Sequence, residues 1–181
     1  TFASAESIGM GVRVFTSDRR LGFAYTTDVA AGVADVVEAA WQNALGSDPD
    51  EHNVLHPFSD DLEVDWVEED PTKVCSADKV AFARELEQLT LAADTRITQV
   101  EHARYSDVLY DIDIIHSLGM KRHFRGAYCT CSVVAVAAEP GSDGETGWEF
   151  DFARKFSDLR LDFVAMGCAR DATRLLGGKP L

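Results

Sequence analysis

From Ile97 onward the hydrophobic pattern of this chain has a period of two, and that limits what the second half can become. Alternating side chains point to opposite faces of a strand, so such a run builds sheet rather than helix. Ile97 to Ser106 and Val108 to His116 read as strands joined at Asp107, and Ser117-Leu118-Gly119 as a turn. Met120 to Ala127 and Tyr128 to Ala138 form one long extended run or two short ones. Pro140-Gly141-Ser142-Asp143-Gly144 is a turn, and Thr146 to Arg154 returns as a strand with Trp148, Phe150 and Phe152 on one face. Four or so consecutive strands with short links predict an antiparallel meander.

The first half mixes both periods. Ile8 to Phe15 and Leu21 to Thr26 alternate around Ser17-Asp18-Arg19-Arg20, which predicts a hairpin. Gly9, Gly11 and Gly22 lie inside these strands, where glycine marks a bulge or the close approach of another backbone. Thr27 and Asp28 are N-cap candidates for a helix over about Ala30 to Leu45, stopped by Gly46. Leu62, Val64 and Trp66 alternate as a short edge strand. Ser76 is placed to cap a second helix running to about Asp94, on whose faces Val80, Ala83, Leu86 and Leu89 recur. Asp162 is placed to cap a last helix through Leu176, with Gly177 and Gly178 as its stop. Segregated strands and helices predict an α+β fold, a largely antiparallel sheet of hairpin plus meander with the helices packed mainly on one face. The expectation is a single domain over residues 1–181.

Charge excludes some functions. There are 17 Lys+Arg against 31 Asp+Glu, a net −14. A phosphate-backbone binder needs a basic stripe, and an anionic membrane surface repels such a chain, so neither nucleic acid nor membrane is expected as a partner. Ten of the acids fall between Ser47 and Asp70, where there is no Lys or Arg, leaving 21 acids against 17 bases elsewhere. This 47–70 segment reads as an acidic loop between two helices. The longest apolar run, Val133 to Ala138, is a strand's worth and far below a membrane span of about 18 residues. No signal-peptide pattern opens the chain, both ends read as cut from something longer, and a cytoplasmic setting is expected.

No residue pattern announces a reaction. The four cysteines are Cys75, Cys129, Cys131 and Cys168; Cys129 and Cys131 share one strand face and read as small core residues, without the paired spacing of a zinc site. His52 and His56 have an i, i+4 spacing but sit between Pro49 and Pro57, in a stretch that does not read as helix. His116 and His123 flank a turn on neighbouring strands and could face each other, and His102 lies in a similar polar setting. Asp111 and Asp113 share a strand face, as an acid–base pair, hard-cation ligands or a solvated surface. Lys121, Arg122, His123 and Arg125 form a basic cluster suited to the acidic segment or an acidic partner. Gly9-Met10-Gly11 lacks the strand–helix setting of a phosphate loop, and there is no G-x-S-x-G elbow. No catalytic residue and no metal ligand is assigned.

The ordered motifs do resemble a known family. Gly9-Met10-Gly11-Val12-Arg13-Val14, Gly22-Phe23-Ala24-Tyr25-Thr26-Thr27-Asp28, Gly46-Ser47-Asp48-Pro49, Asp94-Thr95-Arg96-Ile97, His116-Ser117-Leu118-Gly119 and Leu175-Leu176-Gly177-Gly178-Lys179-Pro180 follow one another as in the N-terminal domain of the TldD/PmbA proteins, the so-called modulators of DNA gyrase. In that family the TldD branch is a metallopeptidase with an H-E-x-x-x-H motif, and the PmbA or TldE branch lacks the motif and pairs with TldD. This chain holds no H-E-x-x-x-H, and its Ser117-Leu118-Gly119 turn and Leu-Gly-Gly-Lys-Pro exit are closer to PmbA. The resemblance implies a fragment of the N-terminal domain of a non-catalytic subunit in a TldD-type metallopeptidase complex that processes peptides. Gly9, Gly11, Gly22, Asp28, Ser117 and Gly119 would then be structural motif residues. It implies no cofactor in this fragment, zinc in a catalytic partner, and assembly with a TldD-like subunit or self-association through an uncovered apolar face. The alternatives are a catalytic TldD-branch chain whose metal motif lies beyond residue 181, and an acidic regulator that binds a basic protein through residues 47–70.

Overall fold

The computed structural model describes residues 2–30, 32–57, 62–141 and 144–178, with the backbone alone at 62–64. Parts of the expected 140–144 turn, residues 58–61 of the acidic segment and the Lys179-Pro180-Leu181 exit lie outside the described residues. The elements run β1 (Met10–Phe15), β2 (Leu21–Thr26), α1 (Val33–Leu45), β3 (Leu62–Asp65), α2 (Ser76–Ala93), β4 (Ile97–Ile115), β5 (Lys121–Ala137), β6 (Glu145–Ala153) and α3 (Leu161–Thr173). The fold is α+β and largely antiparallel, as its patterning predicts. Where one domain is expected over 1–181, the chain divides into two compact units, Thr1–Asp60 with His116–Met120, and Asp61–Ile115 with Lys121–Leu181. The physical reason is that each unit has its own sheet and its own helices, α1 on the first and α2 and α3 on the second.

In the first unit β1 and β2 pair antiparallel from Met10↔Thr26 to Phe15↔Leu21. The turn closes through Thr16 N–H to the Arg20 carbonyl at 3.0 Å and Arg19 N–H to the Thr16 carbonyl at 3.1 Å, with Arg19 at φ 67°. The Thr16 hydroxyl donates to Asp18 at 2.6 Å and accepts from the Arg20 amide at 2.9 Å, which offsets the left-handed residue. One helical stripe of α1, Val36, Ala40 and Ala44, is buried, whereas Val33, Val37, Trp41 and Leu45 stand exposed beside it. Gly22 is the reason the helix can lie so near: a Cβ there would fall on the Ala40 carbonyl and the Ala44 amide. The Arg20 guanidinium reaches the Leu45 carbonyl at 3.4 Å and the Ser47 carbonyl, so a hairpin side chain caps the C-terminal end of α1. The N-terminal end corrects the sequence reading. Neither Thr27 nor Asp28 caps α1; Gly32 does, without a side-chain bond. The Thr26 hydroxyl instead accepts from the Asp28 amide at 3.0 Å, a local turn that delays the helix.

In the second unit β5 is central, with β4 antiparallel on one side and β6 antiparallel on the other. β3 runs parallel to the first residues of β5, from Leu62↔Arg122 to Asp65↔Arg125. The meander therefore has three strands rather than four: Ile97 to Ile115 is continuous, and Asp107 does not interrupt it. A carboxylate in mid-strand needs a partner, and Lys79 of α2 supplies it. The helices α2 and α3 pack on one face, over Cys129, Cys131, Val133, Ala135 and Ala137 of β5. Leu86 from α2 and Val164 and Cys168 from α3 complete the core, all fully buried. Gly147 of β6 repeats the device of Gly22, since a Cβ there would fall on the Cys168 carbonyl and the Ala172 amide. Cys75 rather than Ser76 is the N-cap of α2, and Arg160 rather than Asp162 that of α3. The α3 terminus is fastened by Asp151, whose carboxylate accepts from the Arg160 amide at 2.9 Å, from Nε at 3.0 Å and from Nη2 at 2.8 Å.

Gly22→Val and Gly147→Val, made in the intact protein, should each cost about 3 kcal/mol of unfolding free energy through overpacking. Gly119→Ala, where φ is +96° and no atom lies within 4 Å of a Cβ, should cost only about 1 kcal/mol. Denaturant titration separates the two classes, and equal losses would refute the packing argument. A second expectation concerns acid. Hydrogen bonds and charge from Arg160 hold the Asp151 carboxyl below its ordinary pKa. Its contribution is therefore complete above the unfolded carboxylate value of about 4 and fades as pH falls through the lower folded value. Asp151→Asn should cost about 1.5–3 kcal/mol at neutral pH. The gap between wild type and variant should stay level from neutral pH down to about pH 5 and close below about pH 4.

Candidate functional site

The long β4–β5 ribbon gathers the residues that the sequence offers for chemistry. Asp113 stands opposite His123 and Asp111 opposite Arg125 in its register. His123 Nδ1 lies 2.9 Å from Asp113 and Nε2 3.6 Å from Asp111, while Arg125 Nε is 3.7 Å from Asp111. The aspartate pair thus belongs to a cross-strand polar ladder on an exposed surface, where an ion pair is worth roughly 0–1 kcal/mol. The end of the acidic segment runs beside the same basic residues, with Glu63 opposite His123 and Asp65 opposite Arg125 in the β3–β5 register. His116 is engaged elsewhere, its Nδ1 accepting from the Leu118 amide at 3.1 Å, so the structure takes His116 and His123 to different partners.

The turn after His116 is set by backbone bonds and by Gly119. His116 N–H donates to the Met120 carbonyl and Gly119 N–H to the His116 carbonyl, both at 3.1 Å, and Gly119 occupies the left-handed position at φ +96°. Such a three-residue loop with a bulged glycine closes a hairpin without splaying its strands. Gly11 lies in β1 with the Phe23 ring 3.0 Å from where its Cβ would be, and Gly9 lies just before β1 under the Tyr25 ring. Asp28 lines an open groove of about 300 Å³ with Thr26, Gly32 and Asp35, at the start of α1.

The cysteines take no part in exposed chemistry, apart from Cys75, whose thiol donates to Asp78 at 3.1 Å. Burial pushes the thiols of Cys129, Cys131 and Cys168 up to about 11. Such thiols stay protonated at neutral pH and behave as small apolar residues. His52 and His56 lie on non-helical chain, as their flanking prolines predict. Among the described residues no group of three or more His, Cys, Asp or Glu could hold a metal ion, so the residues here do not fit a zinc centre. No helix among them is long and apolar enough to cross a membrane.

One polar cluster escaped the sequence reading. Lys79 Nζ lies 2.6 Å from Asp107, donates to the Thr72 carbonyl at 3.3 Å and sits 5.7 Å from the Tyr105 ring centre, nearly closed off from water. Tyr105 packs edge-on against Phe82 and Phe156. Its hydroxyl is the one buried side-chain polar atom, among the described residues, without a hydrogen-bond partner. Burial first, and then the Asp107 charge, push that hydroxyl far above its ordinary range, so it remains protonated. The signal was present: Lys79, Phe82, Leu86 and Thr90 recur at helical spacing and form the buried stripe of α2. The cluster holds α2 in register over β4; it offers neither a nucleophile nor an open cavity.

Comparisons with known proteins place this arrangement. Residues 69–177, from before α2 to beyond α3, match the family model described as the PmbA/TldA metallopeptidase central domain, and residues 1–44 match PmbA/TldA metallopeptidase domain 1. The chain is 27% identical over 181 residues to Metalloprotease PmbA of Escherichia coli O157:H7, covering 95% of this chain and 39% of that protein. Its fold is similar to a Thermotoga maritima protein described as a "putative modulator of a DNA gyrase", at TM-score 0.71 and 19% identity, over 98% of this chain and 40% of that one. It is similar also to TldE from Thermococcus kodakarensis, at TM-score 0.57 and 20% identity, over 86% of this chain and 35% of that one. The chain spans about two fifths of the length of these relatives. With the central-domain model covering most of its residues and the domain 1 model its beginning, the chain belongs to the PmbA/TldD metallopeptidase family.

Proposed function

We propose that this chain is part of a PmbA/TldE-like, non-catalytic subunit of a TldD-type metallopeptidase complex, acting in peptide processing in the cytoplasm. The observation that carries the reading is the match to PmbA over 95% of the chain, supported by the likeness of its fold to TldE. The chemistry of the described residues agrees with it. Asp111, Asp113 and His123 are engaged in a surface ladder, the buried thiols are protonated, and the buried Lys79 is paired with Asp107. On this reading zinc belongs to the partner subunit, and this chain contributes framework to the assembly. A second reading, a catalytic subunit whose metal motif lies beyond residue 181, is favoured by the word metallopeptidase in both family descriptions and by the E. coli relative's name.

The two readings separate in one experiment. The intact protein and the TldD-type subunit of the same genome are purified apart, assayed for zinc by mass spectrometry and for cleavage of unstructured peptides, then mixed. The expected outcome is zinc with the TldD-type subunit alone, no cleavage by the intact PmbA-like protein, and cleavage by the mixture. Zinc bound to the PmbA-like protein together with cleavage in isolation would establish the second reading instead.

A further inference from the structure

Strand β4 leaves one side of its backbone unused. The His116 amide donates to the Met120 carbonyl at 3.1 Å, so the hydrogen-bonded pairs of the β4–β5 ladder fall on even-numbered residues of β4, back to the bulge at Val100/His102. The odd-numbered residues over 103–115 therefore turn their N–H and C=O groups away from β5. The far side of β5 obeys the same rule, since the Arg125 carbonyl accepts from the Trp66 amide at 2.8 Å. Among the described residues no other strand pairs with β4, and no backbone group outside β5 bonds to residues 103–115. The odd-numbered side chains of β4 and β5 lie on the side that bears α2 and α3. Toward the turn at Gly119 that side is charged in rows. Asp111 and Asp113 stand on β4, and Lys121, His123 and Arg125 on β5, while the β3 register sets Glu63 opposite His123 and Asp65 opposite Arg125. The Asp111 and Asp113 side chains are 55% and 64% exposed. Their ion-pair partners among the described residues, His123 and Arg125, all stand on the β5 side.

An open strand edge recognises an extended backbone, and the neighbouring side chains choose among extended backbones. The rows run acidic, basic, acidic from β3 through β5 to β4. A strand added beyond β4 meets opposite charge if its alternate residues are Lys or Arg. The net charge of −14 draws such a segment in. A second copy fits badly. Laid antiparallel on itself and centred on any residue from Leu109 to Asp113, β4 sets carboxylate directly opposite carboxylate. The remaining three fifths or so of the relatives' length is the other candidate cover. A permanent strand from there would make β4 internal, and β5 shows what an internal strand looks like in this sheet. Cys129 to Ala137, between β4 and β6, holds no charged residue, whereas β4 carries Glu101, Arg104, Asp107, Asp111 and Asp113. Charges so closely spaced mark an edge that faces water in the native protein. We propose that the outer edge of β4, over residues 109–115, takes up an extended peptide with Lys or Arg at alternate positions, as an added strand. This goes beyond the function proposed above and does not depend on it.

The test uses the intact protein without the metallopeptidase subunit. The probe is a capped, labelled peptide of alternating Lys and Val, about nine residues long, enough to span the edge. One control peptide carries Glu for Lys, and another carries methyl groups on the amide nitrogens that would face β4. Binding is read by fluorescence anisotropy at about 50 mM salt, and by residue-resolved amide exchange. The Lys-Val peptide should bind and slow exchange at Leu109, Asp111, Asp113 and Ile115, whose amides face outward. The amides of Tyr110, Ile112 and Ile114 are already held by β5 and should not change. Methylation and the Glu replacement should each weaken binding about tenfold or more. Asp111→Asn with Asp113→Asn should weaken it about fivefold, and less at about 300 mM salt. Equal affinity for the methylated peptide reduces the attraction to charge alone and overturns the proposal, as does a lack of binding or of new protection. Slow exchange at the same four amides in the free protein also overturns it. If independent of concentration, it means that the rest of the chain covers the edge; if it grows with concentration, a second copy does. The exchange measurements use the unaltered protein, so they decide the matter even if the variant fails to fold. Each of these outcomes leaves the subunit reading standing.

Discussion

The helices of this protein lie close to their sheets because the strand positions beneath them are small. On β5 the residues facing α2 and α3 are Cys129, Cys131, Val133, Ala135 and Ala137, all essentially closed to solvent. On β6 the facing residue is Gly147, pressed against the backbone of α3, and on β2 it is Gly22, pressed against that of α1. Close approach of this kind gains dispersion contacts along a whole helix, but tolerates no added carbon at the contact point. The same device recurs in both units. It turns isolated glycines, each a weak strand former, into the positions that decide where a helix sits.

Once the helices are so placed, the polar residues have little freedom. Asp107 can stay in mid-strand because α2 brings Lys79 to it, and Asp151 can stay nearly buried because α3 begins at Arg160. Both are carboxylates on the helix-bearing side of the sheet. Removing either partner would strand a desolvated charge, which is the expensive event in a low-dielectric site. The opposite side has no such obligation, and there the strands carry aromatic rings and arginine. The sheet is therefore polarised: one face carries the carboxylates, some paired beneath the helices and some in an exposed ladder, and the other presents aromatic rings outward.

Much of the fold was legible because alternation and turn chemistry are local. The β1–β2 hairpin, the turn through Ser117 and Gly119, the strand bearing Trp148, Phe150 and Phe152, and the shared core face of Cys129 and Cys131 all follow from neighbours in the chain. The helix starts were less legible, since Gly32, Cys75 and Arg160 are the observed N-caps where Asp28, Ser76 and Asp162 have better local chemistry. Local preference lost there because the cap position is set by where the helix meets its sheet. Asp107 misled for a related reason. A single-strand pattern reads it as a break, and its partner is 28 positions earlier on another element. Within the buried stripe of α2, Leu86 and Thr90 recur as the helical spacing suggests, but Val80 points outward and Lys79 inward, which hydrophobicity alone would never indicate for a lysine.

The family and the α+β class were legible in the sequence alone, since motifs and periodicities survive without knowledge of contacts. Only the tertiary structure decided that Ile97 to Ile115 is one strand and that β3 joins β5 in parallel. Only the tertiary structure, too, decided that the carboxylates gather on one face of the sheet and the exposed aromatics on the other. Those outcomes depend on residues far apart in sequence meeting across a strand pair or a helix–sheet contact, and nothing in a residue's neighbours along the chain states which distant group it will meet.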